Sequence, residues 1–403
     1  MSGPNTLFLA ALLALCACGT RSALLVELRD DAGDAGVGAP DASTNTPDAR
    51  SDARGADTSV VPSECVWGPR REGDTIAEPA RIELEEGFSL SDVQVVAYDE
   101  GYFFVAQGRF GEQARVIFGS FDESQEETIV YDAQQGNAAK LAATSRSSVF
   151  SEGQRLLRLE QNRRGFSFPF MNGCRSVIHG GERAFAWVDV GANTSAIWDV
   201  RLDPSEPFDE TVMAQSAVPR VFPEEILGAA WDSEGERGMW LTGEVRAALG
   251  RQSLWTYDGE APRRVDIETD ERFVWLHGLA LFEGRAMSFD LNEAPRLLLI
   301  EPNSGAILEE REVSMTLFEN AGPPRDADLA AHANGSLANM SGVLVDFPAD
   351  GEARVVFDEN VDRRGQALLG HDVALRGDHA VTATGYQRAE GRSVVELRHF
   401  ECR

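Results

Sequence analysis

Three polar residues, His277, Asp328 and His371, stand at matching points in the C-terminal third of the sequence. Each begins a short segment with apolar residues: His-Gly-Leu-Ala-Leu, Asp-Leu-Ala-Ala and His-Asp-Val-Ala-Leu. Imidazole and carboxylate groups bind metal ions, orient polar ligands and transfer protons. If the fold brings the three together, they predict a binding site for a metal ion or a polar ligand, or an acid–base pair. The alternative is structural, because a polar residue before a strand often bonds to a neighbouring turn.

Motifs that assign a reaction class are missing from the sequence. It contains no H-E-x-x-H, no G-x-S-x-G, no Walker loop, no C-x-x-C and no EF-hand ligand series. We therefore assign no catalytic residue and expect no cofactor. Whether the protein is an enzyme stays open, with a non-enzymatic role favoured.

The elements that must position these residues are strands. Short runs of Val, Ile, Leu, Phe, Tyr and Trp alternate with turns rich in Gly, Asp, Asn and Glu, and no long stretch has the spacing of an amphipathic helix. When the tight turns are aligned, a unit of strand, turn, strand, turn and strand repeats. The first turns of the units fall about 46 residues apart on average, at or near Gly101, Arg146, Gly181, Arg237, Gly284, Gly335 and Gly377.

This repeat resembles the β-propellers of the WD-like and related extracytoplasmic kind, although a regular Trp-Asp dipeptide is absent. The resemblance begins near residue 80 and rests on the period and the strand pattern. It implies an all-β fold in residues 65–403: a single β-propeller of seven four-stranded blades. In such a ring His277, Asp328 and His371 would lie on three adjacent blades, at equivalent heights, near the central channel.

Closure of the ring needs a strand that the last repeat lacks. The C-terminal unit ends soon after Ser393, whereas the alternating segment 81–84 precedes the first unit. We expect this N-terminal strand to complete the C-terminal blade. Cys65 and Cys402 would then flank one seam, which favours a disulfide between them in an exported protein. Cys174 leaves the other two pairings open, and three buried free thiols are a further alternative.

The N-terminal segment is predicted to be an export signal. Residues 7–17 are eleven apolar residues, too few to span a bilayer as a helix, although no basic residue precedes them. The segment ends Leu15-Cys16-Ala17-Cys18, which resembles a bacterial lipoprotein signal. The resemblance implies cleavage before Cys18 and lipid attachment to its sulfur; Cys16 fits less well, because Leu15 would occupy the small-residue position. The alternatives are an ordinary secretory signal or a buried apolar segment.

The predicted organisation is therefore a signal peptide at 1–17, a lipid-anchored tether at 18–64 and the propeller at 65–403. The tether is rich in Ala, Asp, Gly and Pro, so it cannot bury enough apolar surface to fold and is predicted to be disordered. We expect an exported protein anchored through Cys18, on the periplasmic face or the cell surface of the outer membrane.

The net charge is −29, which disfavours nucleic acid as a partner. We expect a monomer whose partners are the membrane, through its anchor, and an envelope protein or glycan. Three functions remain open. The first is a binding or scaffolding module for a protein, peptide or glycan. The second is a hydrolase or lyase with a channel site near His277 and His371. The third is a lineage-specific surface lipoprotein without a general biochemical activity.

Overall fold

Antiparallel β-strands make up nearly all the regular structure in the computed structural model. It describes residues 65–403, except 99–100, 123–126, 134–139, 144–146, 153–154, 161–162, 170–172, 181–182, 192–193, 202–211, 219–223, 233–234, 245–251, 268–275, 293 and 364–365. The predicted signal peptide, Cys16, Cys18 and the tether lie outside the described residues. Within the described part, no helix is long and apolar enough to cross a membrane.

The strands follow one another in a regular order along the chain. Four short strands come first: β1 (Trp67–Pro69), β2 (Arg71–Glu72), β3 (Thr75–Ile76) and β4 (Ala80–Glu83). Blade A contains β5 (Phe88–Tyr98), β6 (Gly101–Phe110), β7 (Gln113–Asp122) and β8 (Glu127–Ala133). Blade B contains β9 (Lys140–Ala143), β10 (Ser147–Glu152), β11 (Arg155–Glu160) and β12 (Arg163–Pro169). Blade C contains β13 (Gly173–Gly180), β14 (Arg183–Gly191), β15 (Thr194–Arg201) and β16 (Val212–Val218).

The second half continues the same pattern. Blade D contains β17 (Glu224–Asp232), β18 (Arg237–Glu244), β19 (Gln252–Tyr257) and β20 (Arg263–Asp266). Blade E contains β21 (Leu276–Phe282), β22 (Arg285–Asp290), β23 (Arg296–Ile300) and β24 (Ile307–Glu312), followed by a 3₁₀ turn, Met315–Phe318. Blade F contains β25 (Asp328–His332), β26 (Gly335–Met340), β27 (Val343–Pro348) and β28 (Arg354–Asp358), followed by the short helix α1 (Glu359–Asp362). The last strands are β29 (Ala367–Arg376), β30 (His379–Gln387) and β31 (Ser393–Cys402).

The sheets form a closed ring. The first strand of each blade contacts the first strand of the next, from β5 to β25, then β25 contacts β29, and β29 contacts β5. These inner strands therefore surround the axis, while the later strands of each sheet lie progressively outward. This arrangement confirms the all-β fold and the single β-propeller.

The predicted seven four-stranded blades are wrong in number, because the described residues form six. The remaining sheet, here called the closing sheet, has five strands: β29, β30 and β31 with β4 and β1. It differs from the blades because two short N-terminal strands, β1 and β4, form its outer edge.

The closing sheet joins the two ends of the propeller. As expected, the strand at residues 81–84 completes it: β4 pairs with Val394–Leu397 of β31. Strand β1 pairs with the end of β31, where Trp67 faces Cys402, and the hairpin of β2 and β3 leaves the sheet between them. The predicted disulfide between Cys65 and Cys402 is present, with Cα atoms 5.3 Å apart. Cys174 lies in β13, and its side chain is outside the described part of the structure.

Apolar side chains fill the space between adjacent sheets. Phe104 and Val395 belong to one cluster between blade A and the closing sheet. Trp240 and Trp255 of blade D pack with Trp187 of blade C, and all three are at most 3% exposed. Burial of this apolar area on both faces of a sheet is what stabilises a ring whose single blades could not fold alone.

The inner strands approach one another most closely where glycines replace side chains. A Cβ at Gly278 would lie 2.6 Å from the carbonyl oxygen of Ala327, and the φ of Gly278 is +67°. A Cβ at Gly370 would lie 3.0 Å from the Cα of Asp92. These contacts join the first halves of the inner strands, so the starts of the inner strands share one end of the ring. We call that end the ring mouth.

Candidate binding site at the ring mouth

The three predicted residues all lie on inner strands. His277 is the second residue of β21, Asp328 is the first of β25 and His371 is the fifth of β29. The prediction that they precede their strands is wrong, because all three lie within strands. They do come from adjacent sheets and lie in the mouth half of the ring.

Their heights are not all equivalent, which corrects the alignment based on turns. His277 faces Phe289, the fifth residue of β22. Asp328 faces Asn339, the fifth residue of β26. In the closing sheet the fifth residue of β30 is Ala383, and it faces Asp372. His371 lies one residue further from the turn. The shift arises because β21 has a bulge between His277 and Ala280, which adds a residue on the turn side of His277.

His371 bridges two carboxylates. Its Nδ1 lies 2.9 Å from Asp328 Oδ2, and its Nε2 lies 3.0 Å from Asp326 Oδ1. The imidazole is only 4% exposed, whereas the side chains of Asp328 and Asp326 are 42% and 63% exposed. We call Asp326, Asp328 and His371 the mouth cluster.

Electrostatics hold His371 in its charged form. Burial opposes protonation, but the hydrogen bonds to Asp326 and Asp328 and their negative charges outweigh it and raise the pKa of His371 to about 10. Both ring nitrogens of the imidazolium then donate to carboxylates. If His371 loses its proton from Nε2, that atom can instead accept from the Ser341 N–H, which lies 3.1 Å away.

The two carboxylates differ in their environment. The hydrogen bond from His371 lowers the pKa of Asp326, and the charges of His371 and His277 add to this effect. Enclosure by surrounding protein raises the pKa of Asp328, and the hydrogen bond from His371 opposes that rise. Because the Asp328 side chain is 42% exposed, solvent screens its charge and moderates the rise in its pKa. The effect of His277 on the pKa of Asp326 indicates that His277 lies near the mouth cluster.

Two further aspartates lie beside the cluster, and one of them, Asp372, fastens the closing sheet to blade A. Asp372 Oδ2 accepts from the Val95 N–H at 2.7 Å. Burial and the nearby charge of Asp328 raise the pKa of Asp372 well above its usual range. Asp92 accepts from the Gln107 side chain at 2.7 Å. These two carboxyl groups have structural partners, whereas Asp326 and Asp328 of the mouth cluster also face solvent.

Sequence reasoning missed Asp326 and Asp372. The Asp326-Ala-Asp328 spacing before an inner strand is a visible signal, because it places a second carboxylate at the same end of the strand. Asp372 directly follows His371. An alignment that counts residues back from the turn is one residue out in this sheet, and it therefore selects His371 instead of Asp372.

The cluster offers two accessible carboxylates and a fixed positive charge. Asp326 and Asp328 each contact His371 through one oxygen, so a second oxygen on each can accept hydrogen bonds from a ligand. Because its pKa is about 10, His371 is protonated at neutral pH and is a poor general base. Within the described part of the chain, no group of three His, Cys, Asp or Glu side chains has a geometry that could hold a metal ion.

Comparison with known proteins supports the fold. No protein-family model matches the sequence, and no curated protein does either. A chain of the mitotic checkpoint complex is similar in structure, with a TM-score of 0.52, 9% identity and coverage of 92% of this chain and 99% of that one. A chain of hydrazine synthase from Kuenenia stuttgartiensis has a TM-score of 0.50, 8% identity and coverage of 75% and 94%. At such low identity these likenesses establish the β-propeller fold alone.

Proposed function

We propose that the protein is a binding and scaffolding propeller that takes a basic or hydrogen-bond-donating segment of a partner protein at its ring mouth. The observation that carries the proposal is the pair of solvent-accessible carboxylates, Asp326 and Asp328, held in place by a buried imidazolium. Pre-organised carboxylates at a channel mouth favour cationic partners, and the acidity of the whole protein increases the rate of their encounter.

The fold is compatible with this role. Propellers present rigid strand ends and loops around an axis, and a similar propeller comes from the mitotic checkpoint complex, so at least one protein with this fold works in an assembly. The charged state of His371 argues against a role as catalytic base, so the geometry favours binding over hydrolysis or elimination.

The proposed place of action rests on the sequence alone. We propose that Cys18 carries a lipid, that residues 18–64 act as a tether and that a monomeric propeller stands in the cell envelope. A Cys18→Ser variant should lose incorporation of a radiolabelled fatty acid and leave the membrane fraction. Retention of both label and membrane association would refute the anchor.

Site-specific photocross-linking tests the binding surface. Arg325 is exposed and directly precedes Asp326, so Arg325→benzoylphenylalanine places a reactive group beside the mouth cluster. The control is Leu308→benzoylphenylalanine, because Leu308 is 50% exposed on the outer strand of blade E. In native envelopes, position 325 should cross-link to a partner segment that contains Lys or Arg, and position 308 should not. Equal cross-linking at both positions, or an acidic segment at position 325, would refute the proposal.

A further inference from the structure

A cavity of about 460 Å³ lies between blade F and the closing sheet, far along each sheet from the inner strands. Three segments form its walls: the chain between β3 and β4, the end of blade F with α1, and strands β30 and β31. Its apolar wall includes Ile76 and Phe357. Its charged wall includes Arg81, Glu359, Arg363, Glu396 and Arg398. We call it the seam cavity.

The break in the outer edge of the closing sheet explains why the cavity exists. Strand β4 pairs with β31 up to Leu397, and β1 pairs from Phe400 onward. Arg398 falls in the interval between them. Strand alternation turns Glu396, Arg398 and Phe400 towards blade F, where Phe400 packs in an apolar cluster. Two charged residues thus occupy positions that sheet packing alone would fill with apolar side chains.

Most of the charges in the seam cavity are matched. Glu396 is 4% exposed; it accepts from Arg81 Nε at 2.7 Å and from the Tyr386 hydroxyl at 2.8 Å, and it is also bonded to Arg363. Burial raises the pKa of Glu396, but its ion pairs with the arginines outweigh burial and lower it overall. Glu359 accepts a second hydrogen bond from Arg363. The charges of Arg81 and Arg363 are therefore balanced by two glutamates.

Arg398 differs from the other charged side chains of the seam cavity, because no described carboxylate balances its charge. It is 9% exposed, and its guanidinium carbon lies 4.3 Å from the centre of the Phe357 ring. Its buried Nε has no hydrogen-bond partner, and no carboxylate of the described chain pairs with it. The side chains that line the cavity carry four positive charges and three negative charges, an excess of one positive charge; they are Arg81, Arg363, Arg388 and Arg398 against Glu78, Glu359 and Glu396. A buried charge without a partner is strongly unfavourable, so an anion in the cavity would relieve a real cost.

We propose that the seam cavity binds a small molecule or chain end with a single carboxylate and a short apolar tail, and that Arg398 anchors the carboxylate. The guanidinium carbon lies over the Phe357 ring, and a guanidinium group can donate two parallel hydrogen bonds to one carboxylate. Phe357 and Ile76 offer apolar area for the tail. A volume of about 460 Å³ is in the range of small-molecule sites. This proposal is independent of the ring mouth.

Calorimetry with defined probes tests the proposal. Hexanoate should bind the purified protein and raise its melting temperature, whereas 1-hexanol and inorganic phosphate at equal concentration should not. Arg398→Met removes the charge at similar length and should weaken hexanoate binding at least tenfold. Arg398→Lys should weaken it as well, because an ammonium group cannot form the paired hydrogen bonds. The matched control is Arg264→Met, since Arg264 also stacks on an aromatic ring, Trp255, but is paired with Asp266 in blade D.

Two peptide probes identify the source of the carboxylate. N-acetyl-Gly-Leu with a free carboxylate should bind more tightly than hexanoate if the natural ligand is a chain end, and less tightly if it is a free acid. Its C-terminal amide should not bind in either case. The proposal is wrong if neither carboxylate binds the wild-type protein at 10 mM, roughly the weakest affinity useful for a specific site. It is also wrong if Arg398→Met and Arg398→Lys bind hexanoate as the wild type does.

Discussion

The mouth cluster and the seam cavity are both built from charged side chains, but they differ in how those charges meet water. At the mouth, Asp326 and Asp328 are 63% and 42% exposed around one buried imidazolium. At the seam, Glu396 and Arg363 are 4% and 10% exposed, and their charges depend on each other. The mouth is therefore suited to exchange partners at little cost to the fold, whereas the seam uses its charges to hold two ends of the chain together.

The comparison predicts that the largest loss of stability follows from Glu396→Gln. This change removes the carboxylate that is shared by Arg363, which is 10% exposed and keeps Glu359, and Arg81, which is 49% exposed. Breaking a fully buried pair costs about 3–5 kcal/mol, and the exposure of Arg81 places the expected cost at the lower end of that range. Denaturant unfolding measures it. Glu78→Gln is the control, because Glu78 is 86% exposed at the same seam and should cost less than about 0.5 kcal/mol. A similar loss of unfolding free energy in the two variants would show that the charges of the seam cavity are as exposed to solvent as those of the mouth cluster.

The disulfide should give the next largest effect. The double variant Cys65→Ala/Cys402→Ala removes a crosslink between positions 337 residues apart, so the unfolded chain gains freedom. We expect a loss of about 2–5 kcal/mol in the free energy of unfolding. A reducing agent should destabilise the wild type and leave the variant unchanged. Equal sensitivity of both proteins to the reductant would contradict the assigned pairing.

A pH titration distinguishes the mouth from the seam. Because the folded state raises the pKa of His371 to about 10, its stabilising contribution is complete below about pH 6.5 and is lost as the pH rises towards 10. The slope is at most about 1.4 kcal/mol per pH unit, reduced by the exposure of Asp326 and Asp328. His277, Asp372 and Asp92 also face this region.

His371→Gln should remove that alkaline slope. Unfolding free energies measured at steps between pH 6 and pH 10 provide the test, and His379→Gln is the control because His379 is half-buried and pairs with Asp378 outside the mouth. If the slope persists in His371→Gln, the mouth cluster does not titrate as described.

The smallest effect is expected at Arg398. Arg398→Met replaces a buried charge that has no carboxylate partner among the described residues, so the unfolding free energy should change by less than about 1 kcal/mol or increase. Chemical denaturation without added carboxylates measures this. A loss as large as that of Glu396→Gln would mean that Arg398 already has a partner of equal importance.

Much of the fold was predictable because turns carry a local signal. Gly284 and Gly377 lie in the first turns of their sheets, as the repeat indicated, and the strand at 81–84 completes the last sheet. The blade count was not predictable in the same way. The outer edge of the closing sheet is assembled from two short strands, and their pairing with β31 depends on contacts between the ends of the chain.

The site was predictable in composition but not in register. His277, Asp328 and His371 were found by their residue types and their distance from turns. A β-bulge changes that distance without any strong signal in the sequence, which is why Asp372 rather than His371 lies level with Asp328. The seam cavity was hidden for a related reason, since Arg398 and Phe357 meet only where the outer strand is interrupted.

We propose that the carboxylates of the ring mouth bind a partner segment. The most direct measurement is the affinity of the segment cross-linked at position 325, made as a fluorescent peptide, for the wild type and for Asp326→Asn/Asp328→Asn. The control is Asp266→Asn/Glu309→Gln, which removes two exposed carboxylates from the outer strands of blades D and E. We predict at least tenfold weaker binding for the mouth variant, an effect that decreases at high salt, and unchanged binding for the control. Equal affinity for all three proteins would contradict the account.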